Sequence, residues 1–154
     1  MRIACLGGGP AGLYFGISMK LRDPNTEVVV FERNRADDTF GWGVVLSDET
    51  LDNLAKNDAV SASKIRDHFA YWDDVATIHN GHKELSTGHG FCGIGRKRML
   101  LILQARAKEL GVDLRFETEG GQASHYMDDF DVVVAADGLN SKTRMEFSDT
   151  FQPE

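Results

Sequence analysis

Short apolar runs alternate with amphipathic stretches in the first part of the chain. Residues 2–6 and 27–32 are strand-length apolar runs, and residues 11–22 between them repeat aliphatic side chains at four-residue spacing. Continuous apolar strands that are separated by a helix are typical of a parallel sheet covered on both faces. The pattern therefore predicts a strand–helix–strand unit at the start of the chain.

The same alternation returns in the last third of the chain. Residues 96–111 form the strongest helical pattern, with Gly111 placed to end the helix, and the apolar runs at 112–117 and 131–138 predict two further strands. Four parallel strands with intervening helices indicate an α/β doubly wound sheet.

The middle of the chain is less regular and predicts two short helices. Ser47 is placed to cap a helix that runs to about Lys56. Ser61 is expected to cap a second helix that runs to about Ala70.

A hairpin is predicted where Asn80 and Gly81 stand between two extended stretches, because this dipeptide favours two-residue turns. We expect the hairpin to leave the main sheet as an insertion at about 73–94. The predicted organisation is one partial domain at 1–147 and a tail without periodicity at 148–154.

Composition narrows the classes of function. The chain has 154 residues, of which 42% are hydrophobic and 27% charged, and a net charge of −7 with scattered cations argues against nucleic-acid or anionic-membrane surfaces. Apolar runs of strand length predict no membrane span, and the sequence pattern predicts a cytoplasmic location. Two cysteines, Cys5 and Cys92, are too few for a disulfide framework, and neither is assigned a function.

The stretch "IACLGGGPAGLYFG" contains Gly7-x-Gly9-x-x-Gly12 between a predicted strand and a predicted helix. Glycines at this spacing permit a tight turn, the approach of a pyrophosphate and close helix–strand packing, while the helix N-terminus favours an anion. Glu32 ends the next strand 20 residues after Gly12, where a carboxylate can bind both hydroxyls of an adenosine ribose. A glycine-rich turn and a solvated strand-end acid are the structural alternatives, and both NAD and FAD fit the pattern.

Further motifs resemble one enzyme family. "GGGPAG", Glu32-Arg33, "GVVL", Arg96 at the start of a long helix and "DGLNSKTR" after a strand occur in the order found in single-component (class A) flavoprotein aromatic hydroxylases. "DDTFGWGVV" and "HGFCGIGRKR" resemble the members that act on aryl-CoA thioesters such as salicylyl-CoA or 2-aminobenzoyl-CoA. The resemblance implies an FAD/NAD(P)-binding Rossmann-like domain.

The resemblance also implies roles for individual residues. The FAD pyrophosphate would be held by Gly7, Gly9, Pro10, Ala11 and Gly12, the adenosine ribose by Glu32, and the adenine side by Arg33. Gly43, Val44 and Val45 would lie near the flavin end, and Arg96 would point toward the FAD phosphates. Asp137 and Gly138, with Arg144 downstream, match the Asp-Gly motif of the family. For Asp137-Gly138 a simple turn, and for the two arginines Arg33 and Arg144 a solvated surface, are the alternatives.

The implied activity is hydroxylation of an aromatic substrate, an aryl-CoA thioester in the members that share the finer motifs, with FAD as cofactor and NAD(P)H as reductant. The flavin carries the chemistry in such enzymes while the protein binds, orients and shields it. Catalytic residues cannot be assigned. His79, His82, His89 and Cys92 lie within fourteen residues and are metal-ligand types, but exposed hairpin histidines are the favoured interpretation and no metal is expected.

Family members continue beyond the Asp-Gly motif, so the resemblance implies an N-terminal fragment or a truncated reading frame that is inactive in isolation. We expect an uncovered apolar edge near residues 132–135 to favour a homo-oligomer. The other functions considered are a non-catalytic truncated dinucleotide-binding module and another FAD or NAD oxidoreductase of the same fold.

Overall fold

The computed structural model describes residues 1–39 and 41–152. Its helices and strands, in chain order, are β1 (Arg2–Leu6), α1 (Pro10–Arg22), β2 (Glu27–Phe31), β3 (Gly43–Leu46), α2 (Asp48–Asn57), α3 (Ala59–Arg66), β4 (Ala70–Trp72), β5 (Val75–His79), β6 (His82–Ser86), β7 (Phe91–Gly95), α4 (Arg96–Glu109), β8 (Asp113–Arg115), a 3-10 turn (Ala123–Tyr126), β9 (Val132–Ala135), α5 (Lys142–Glu146) and α6 (Ser148–Phe151). The chain forms two compact units, one of Met1–Asp38 with Leu100–Glu154 and one of Thr39–Met99.

The first unit is built on the predicted four-stranded parallel sheet. Its strand order is β8-β2-β1-β9, and every neighbouring pair is parallel, with Ile3 opposite both Val28 and Val132 in the central register. The predicted α/β doubly wound class is confirmed. β1 has the predicted bounds, whereas β2, β8 and β9 are each shorter than the sequence run that predicted them.

Both faces of this sheet carry apolar side chains. On one face, Leu13 and Ile17 of α1 are fully buried, and a Cβ added at Gly16 would be in van der Waals contact with the Val112 side chain at 3.4 Å. On the other face, a core cluster that includes Phe31 receives Tyr126 from the 3-10 turn, with ring centroids 4.8 Å apart. These contacts hold the carboxyl ends of β1 and β2 in place.

The second unit contains two antiparallel sheets. One has the order β3-β7-β4, which the sequence pattern did not predict, and the other is the β5-β6 hairpin. The hairpin is confirmed: Asn80 and Gly81 both have positive φ, at 50° and 77°, and β5 and β6 pair only with each other among the described residues. All residues of both hairpin strands are exposed.

The helix predicted after Ser47 is confirmed, since the Ser47 hydroxyl accepts a hydrogen bond from the Thr50 N–H at 3.3 Å. The cap predicted at Ser61 is wrong. Asp58 caps α3 instead, and buried Ser61 lies inside the helix, where its hydroxyl donates to Asp58 at 2.6 Å. A carboxylate competes well for the cap position, and the chain then turns into β4 at Ala70 rather than continuing as a helix.

The tail predicted at 148–154, which has no periodicity, includes the four-residue helix α6 (Ser148–Phe151), and its residues 153 and 154 lie outside the described part of the chain. One short turn leaves no room for the repeated apolar spacing on which helix prediction depends. No helix in the described part of the chain is long and apolar enough to cross a membrane. The predicted 1–147 domain with an insertion at about 73–94 stays a prediction.

Candidate functional site

The glycine loop between β1 and α1 is closed by backbone contacts that exclude side chains. Gly7 has φ +112°, and a Cβ there would lie 2.3 Å from the Ala136 carbonyl oxygen. A Cβ on Gly12 would lie 2.0 Å from the Gly7 carbonyl oxygen. Both glycines are therefore required by the fold itself, as the tight turn and the close packing predicted.

Gly9 differs from these two glycines because nothing lies within 4 Å of the place where its Cβ would be. Gly9 is the N-cap of α1 and provides no side-chain cap, and Pro10 occupies the first turn. The first N–H groups of α1 therefore have no side-chain cap and adjoin a bare, open backbone at the positive end of the helix dipole. This arrangement fits an anionic group such as a pyrophosphate.

Glu32 lies immediately beside the loop. Its Oε2 accepts a hydrogen bond from the Gly8 N–H at 2.8 Å. Its Oε1 accepts from the Asn34 N–H at 2.8 Å and from Asn34 Nδ2 at 2.7 Å. A carboxylate has about four acceptor positions, so the structure fixes the orientation of Glu32 and leaves about one position for a further donor.

Asn34 and Gly8 are site residues that the sequence analysis missed. A Cβ on Gly8 would lie 2.7 Å from the Cβ of Glu32, so the loop backbone and this carboxylate fit closely. The signal for Gly8 was its place in the glycine run. The signal for Asn34 was an amide side chain two residues after a strand-end acid, which is a common local hydrogen-bonding pattern.

Asp137 follows β9 at the same edge of the sheet. Its Oδ2 accepts from the Thr143 N–H at 3.2 Å and from the Thr143 hydroxyl at 3.3 Å. Burial opposes ionisation of Asp137, but hydrogen bonds from Ser141 and from backbone N–H groups outweigh it and hold the pKa below its ordinary value. The carboxylate is thus ionised, and in this structure it orders the chain around α5.

The structure brings Asp137 close to the glycine loop. A Cβ on Gly7 would lie 3.0 Å from the Asp137 backbone nitrogen, and the Ala136 N–H donates to the Leu6 carbonyl at 2.8 Å. Gly138 has φ +79°, so glycine suits the turn. The loop, Glu32 and Asp137 therefore meet at the carboxyl edge of the parallel sheet, where ligands bind in folds of this kind.

Arg33 and Arg144, the two arginines of this unit that the resemblance singled out, lie at the surface or point back to their own loop. Arg33 is exposed, and its charge adds to the stronger hydrogen bond and charge of Lys142 in lowering the pKa of Glu119. Arg144 donates to the Leu139 carbonyl, which leads from the Asp-Gly turn. Neither arginine points to a ligand by its contacts alone.

The other predicted residues belong to the second unit. Gly43, Val44 and Val45 lie in β3, paired with β7. Arg96 begins α4, and its Nε is buried without a hydrogen-bond partner among the described residues. A buried donor of this kind is costly unless an acceptor is supplied, which fits the anion-binding role that the family resemblance implies.

The histidines give no metal site in the part of the chain that the structure describes, which contains no group of three or more metal-ligating side chains. His79 and His82 face each other beside the hairpin turn, and the His89 ring stacks on Phe91. Cys92 is buried, with its Sγ 3.3 Å from the Leu46 carbonyl oxygen.

Cys5 lies under the glycine loop, with its Sγ 3.8 Å from the Gly12 carbonyl oxygen. Burial raises the pKa of its thiol to about 12. Because the thiolate is the reactive form, Cys5 acts as a small apolar core residue.

A parallel sheet with a bare glycine turn and an acidic residue at the next strand end defines an α/β fold of the Rossmann-like, dinucleotide-binding class. The solved structures that resemble it include the Y270F mutant of 2-methyl-3-hydroxypyridine-5-carboxylic acid oxygenase, with a TM-score of 0.78 and 24% identity over 95% of this chain and 42% of that chain. CtdE in complex with FAD and substrate 4 has a TM-score of 0.61 at 18% identity, over 76% of this chain and 30% of that one. These likenesses show the fold.

Sequence relatives define the family more closely, although no family model matches the chain. The chain is 46% identical to salicyloyl-CoA 5-hydroxylase of Streptomyces sp over 153 residues, and this match covers 99% of this chain and 29% of that protein. It is 30% identical to protodeoxyviolaceinate monooxygenase of Chromobacterium violaceum, over 100% of this chain and 42% of that protein. The chain therefore belongs to the family of flavin-dependent aromatic monooxygenases, and it spans 29% and 42% of the length of these two relatives.

Proposed function

We propose that this chain is the FAD-binding part of a flavin- and NAD(P)H-dependent aromatic hydroxylase. The observation that carries the proposal is the joint geometry of the glycine loop and Glu32, in which the Gly8 N–H donates to the carboxylate at 2.8 Å. Gly9 beside it has open space where a side chain would lie. This combination supports an adenosine diphosphate group that is bound through its phosphates and its ribose.

The residues present fit the ADP half of FAD. Gly7, Gly9, Pro10, Ala11 and Gly12 would hold the pyrophosphate at the start of α1, and the free acceptor position of Glu32 would take a ribose hydroxyl. Oε1 of Glu32 already accepts two bonds from Asn34. A single ribose hydroxyl on Oε2 is thus a better match to the structure than the two hydroxyls that the sequence suggested.

Arg33 would lie along the adenine, and Asp137 and Gly138 would adjoin the same ligand where β9 ends. In the second unit, Gly43, Val44 and Val45 would lie by the flavin and Arg96 by the phosphates. These assignments rest on the family resemblance. The unpartnered Nε of Arg96 supports the last of them.

Bound flavin supplies the redox chemistry by which NAD(P)H and oxygen hydroxylate an aromatic ring. The protein side chains described above bind and orient it. The name of the Streptomyces relative suggests the substrate class, and we propose an aryl-CoA thioester such as salicyloyl-CoA for the whole protein to which these residues belong. Cytoplasmic location and a homo-oligomeric state are part of the same proposal.

A second candidate is a non-catalytic dinucleotide-binding module. The contacts of the glycine loop with Glu32 and the open space at Gly9 would serve the binding of a dinucleotide equally well in such a module. Binding without NAD(P)H oxidation would separate this candidate from an active hydroxylase. Bound-cofactor absorbance in the flavin bands would separate both from an NAD-dependent oxidoreductase of the same fold.

The test is titration of the purified chain with FAD and with ADP, combined with its absorbance spectrum. Glu32→Gln should weaken both ligands by about 10-fold or more, the range for losing a hydrogen bond to a charged group. Glu27→Gln is the matched control, since it removes the same charge from an exposed residue paired with Arg2. The proposal is wrong if neither ligand binds at high micromolar concentration, or if the two variants bind equally well.

A further inference from the structure

Trp42 is almost completely exposed. Its side chain is 99% accessible, whereas Trp72, the other tryptophan of the chain, is 36% accessible and stacks on Phe91 at a centroid distance of 5.8 Å. Tryptophan is among the residues that lose most by facing water, because of its large apolar ring. An indole held in solvent is therefore a candidate for contact with a ligand.

The backbone of Trp42 is fixed beside Arg96. The Trp42 carbonyl accepts a hydrogen bond from the Arg96 N–H at 3.2 Å. Gly41, with φ +91°, lies against the Arg96 side chain, since a Cβ at Gly41 would be 3.6 Å from Arg96 Cδ. The indole thus projects from a loop that is anchored at the start of α4.

The first turn of α4 carries positive charge and no acidic residue, which favours binding of an anion. Its first three residues are Arg96, Lys97 and Arg98, and its first turn contains no acid. Cations at the positive end of a helix dipole are unfavourable unless an anion offsets them. The Nε of Arg96 is a buried donor without a partner among the described residues, which is an independent indication of a missing acceptor.

We propose that Trp42 stacks on the planar nitrogen heterocycle of a phosphorylated ligand whose phosphate is held at Arg96. The inference deepens the proposed function, on which it rests. FAD offers two such rings, the flavin and the adenine, and each is linked to phosphate. Tryptophan is suited to either ring, because aromatic stacking depends on the flat π-face rather than on a particular hydrogen-bond pattern.

Tryptophan fluorescence tests this inference directly, because the chain has two tryptophans and each can be observed alone. Trp72→Phe keeps an aromatic ring beside Phe91 and leaves Trp42 as the emitter. Trp42→Phe leaves Trp72 as the emitter and is the matched control for light absorbed by the ligand. Each variant is titrated with FMN and with ADP, which separate the flavin from the adenine as the stacking ring.

The expected result is saturable quenching by FMN or ADP in Trp72→Phe and no saturable quenching in Trp42→Phe. Trp42→Ala should weaken binding of the quenching ligand by about 5- to 150-fold, the range that corresponds to stacking one base on an aromatic side chain. Arg96→Gln should reduce the quenching, whereas Arg66→Gln, which changes an exposed arginine of α3, should leave it unchanged.

Equal responses of the two tryptophan variants to both ligands would overturn the inference. FAD binding to the wild-type chain, measured by equilibrium dialysis, distinguishes failure of the Trp42 inference from failure of the proposed FAD-binding function. If FAD binds and Glu32→Gln weakens it, but Trp42 gives no selective quenching, the glycine-loop site stands and the role of Trp42 is wrong. Absence of both signals overturns both proposals.

Discussion

Two glycines of the same loop are expected to respond in opposite ways to the same added methyl group. Gly12→Ala places a Cβ 2.0 Å from the Gly7 carbonyl oxygen, whereas Gly9→Ala places one where nothing lies within 4 Å. The first substitution tests the packing of the loop. The second tests the assignment of the open space to a ligand.

The magnitude for Gly12→Ala follows from the overlap. Non-bonded carbon contacts are most favourable at about 3.5–4.0 Å, so the loop or α1 has to move by more than about 1 Å. Overpacking of a closely packed site costs about 3 kcal/mol or somewhat more when backbone is the obstacle. For a chain of this size we expect the midpoint of thermal unfolding to fall by roughly 6–12 °C.

Gly9→Ala should leave stability almost unchanged. Gly9 has φ −72°, which alanine adopts without strain. The lower entropy of the unfolded alanine chain offsets the weaker preference for alanine at a helix N-cap, so the midpoint should shift by less than about 2 °C. The affinity for ADP should fall by about 10-fold or more, because the methyl group occupies the approach of the pyrophosphate.

The assay is thermal unfolding followed by circular dichroism, together with ADP binding measured by calorimetry at a temperature where both variants are folded. A Gly12→Ala midpoint within 2 °C of the wild type would show that the close approach to Gly7 is wrong. Unchanged ADP affinity in Gly9→Ala, with a normal fold, would refute the assignment of the open space to the phosphates.

Three further predictions concern other parts of the first unit. Burial raises the pKa of Cys5 from 9.0 to about 12, so the stabilising contribution of its neutral thiol is complete below pH 9 and is lost as the pH rises towards 12. In denaturation curves measured over a pH series, the free energy of unfolding of Cys5→Ala should therefore fall less steeply at alkaline pH than that of the wild type. Asp137→Ala should cost about 0.5–2 kcal/mol at pH 7, because it removes the acceptor of the Thr143 N–H; the lowered pKa means that this difference shrinks as acid protonates Asp137, and a difference that is independent of pH would contradict the reasoning. Exposed Val132 on edge strand β9 is expected to favour self-association, so light scattering should show a dimer or larger species that Val132→Lys dissociates, and a monodisperse wild-type monomer would argue against this.

The main sheet was predictable because its signals are local. Apolar runs of strand length around a helical repeat are enough to specify a parallel unit, and Gly7, Gly9 and Gly12 mark its turn without reference to distant residues. The Asn80-Gly81 hairpin was predictable for the same reason, since both residues adopt the positive φ that this turn requires. In each case one short segment carries the whole signal.

The antiparallel sheet β3-β7-β4 was not predictable from such segments. Its strands are three to five residues long and are joined across helices and the hairpin, so pairing partners such as Val44 and Ile94 are far apart in the sequence. The prediction of Ser61 as the N-cap of the second short helix was wrong for a different reason. Asp58 and Ser61 are both good cap residues, and only burial with a mutual hydrogen bond decided which one begins the helix.

The sequence by itself determined that a bare turn and an acidic strand end belong to one strand–helix–strand unit. Tertiary structure decided which glycine does what: Gly7 and Gly12 are closed by carbonyl oxygens, and Gly9 is open. The tertiary structure also decided how many hydrogen-bond acceptor positions of the Glu32 carboxylate remain for a ligand, because Asn34 and Gly8 occupy most of them. Spacing along a chain fixes which residues can meet, but contact distances in the fold decide whether space and hydrogen-bonding capacity remain for a ligand.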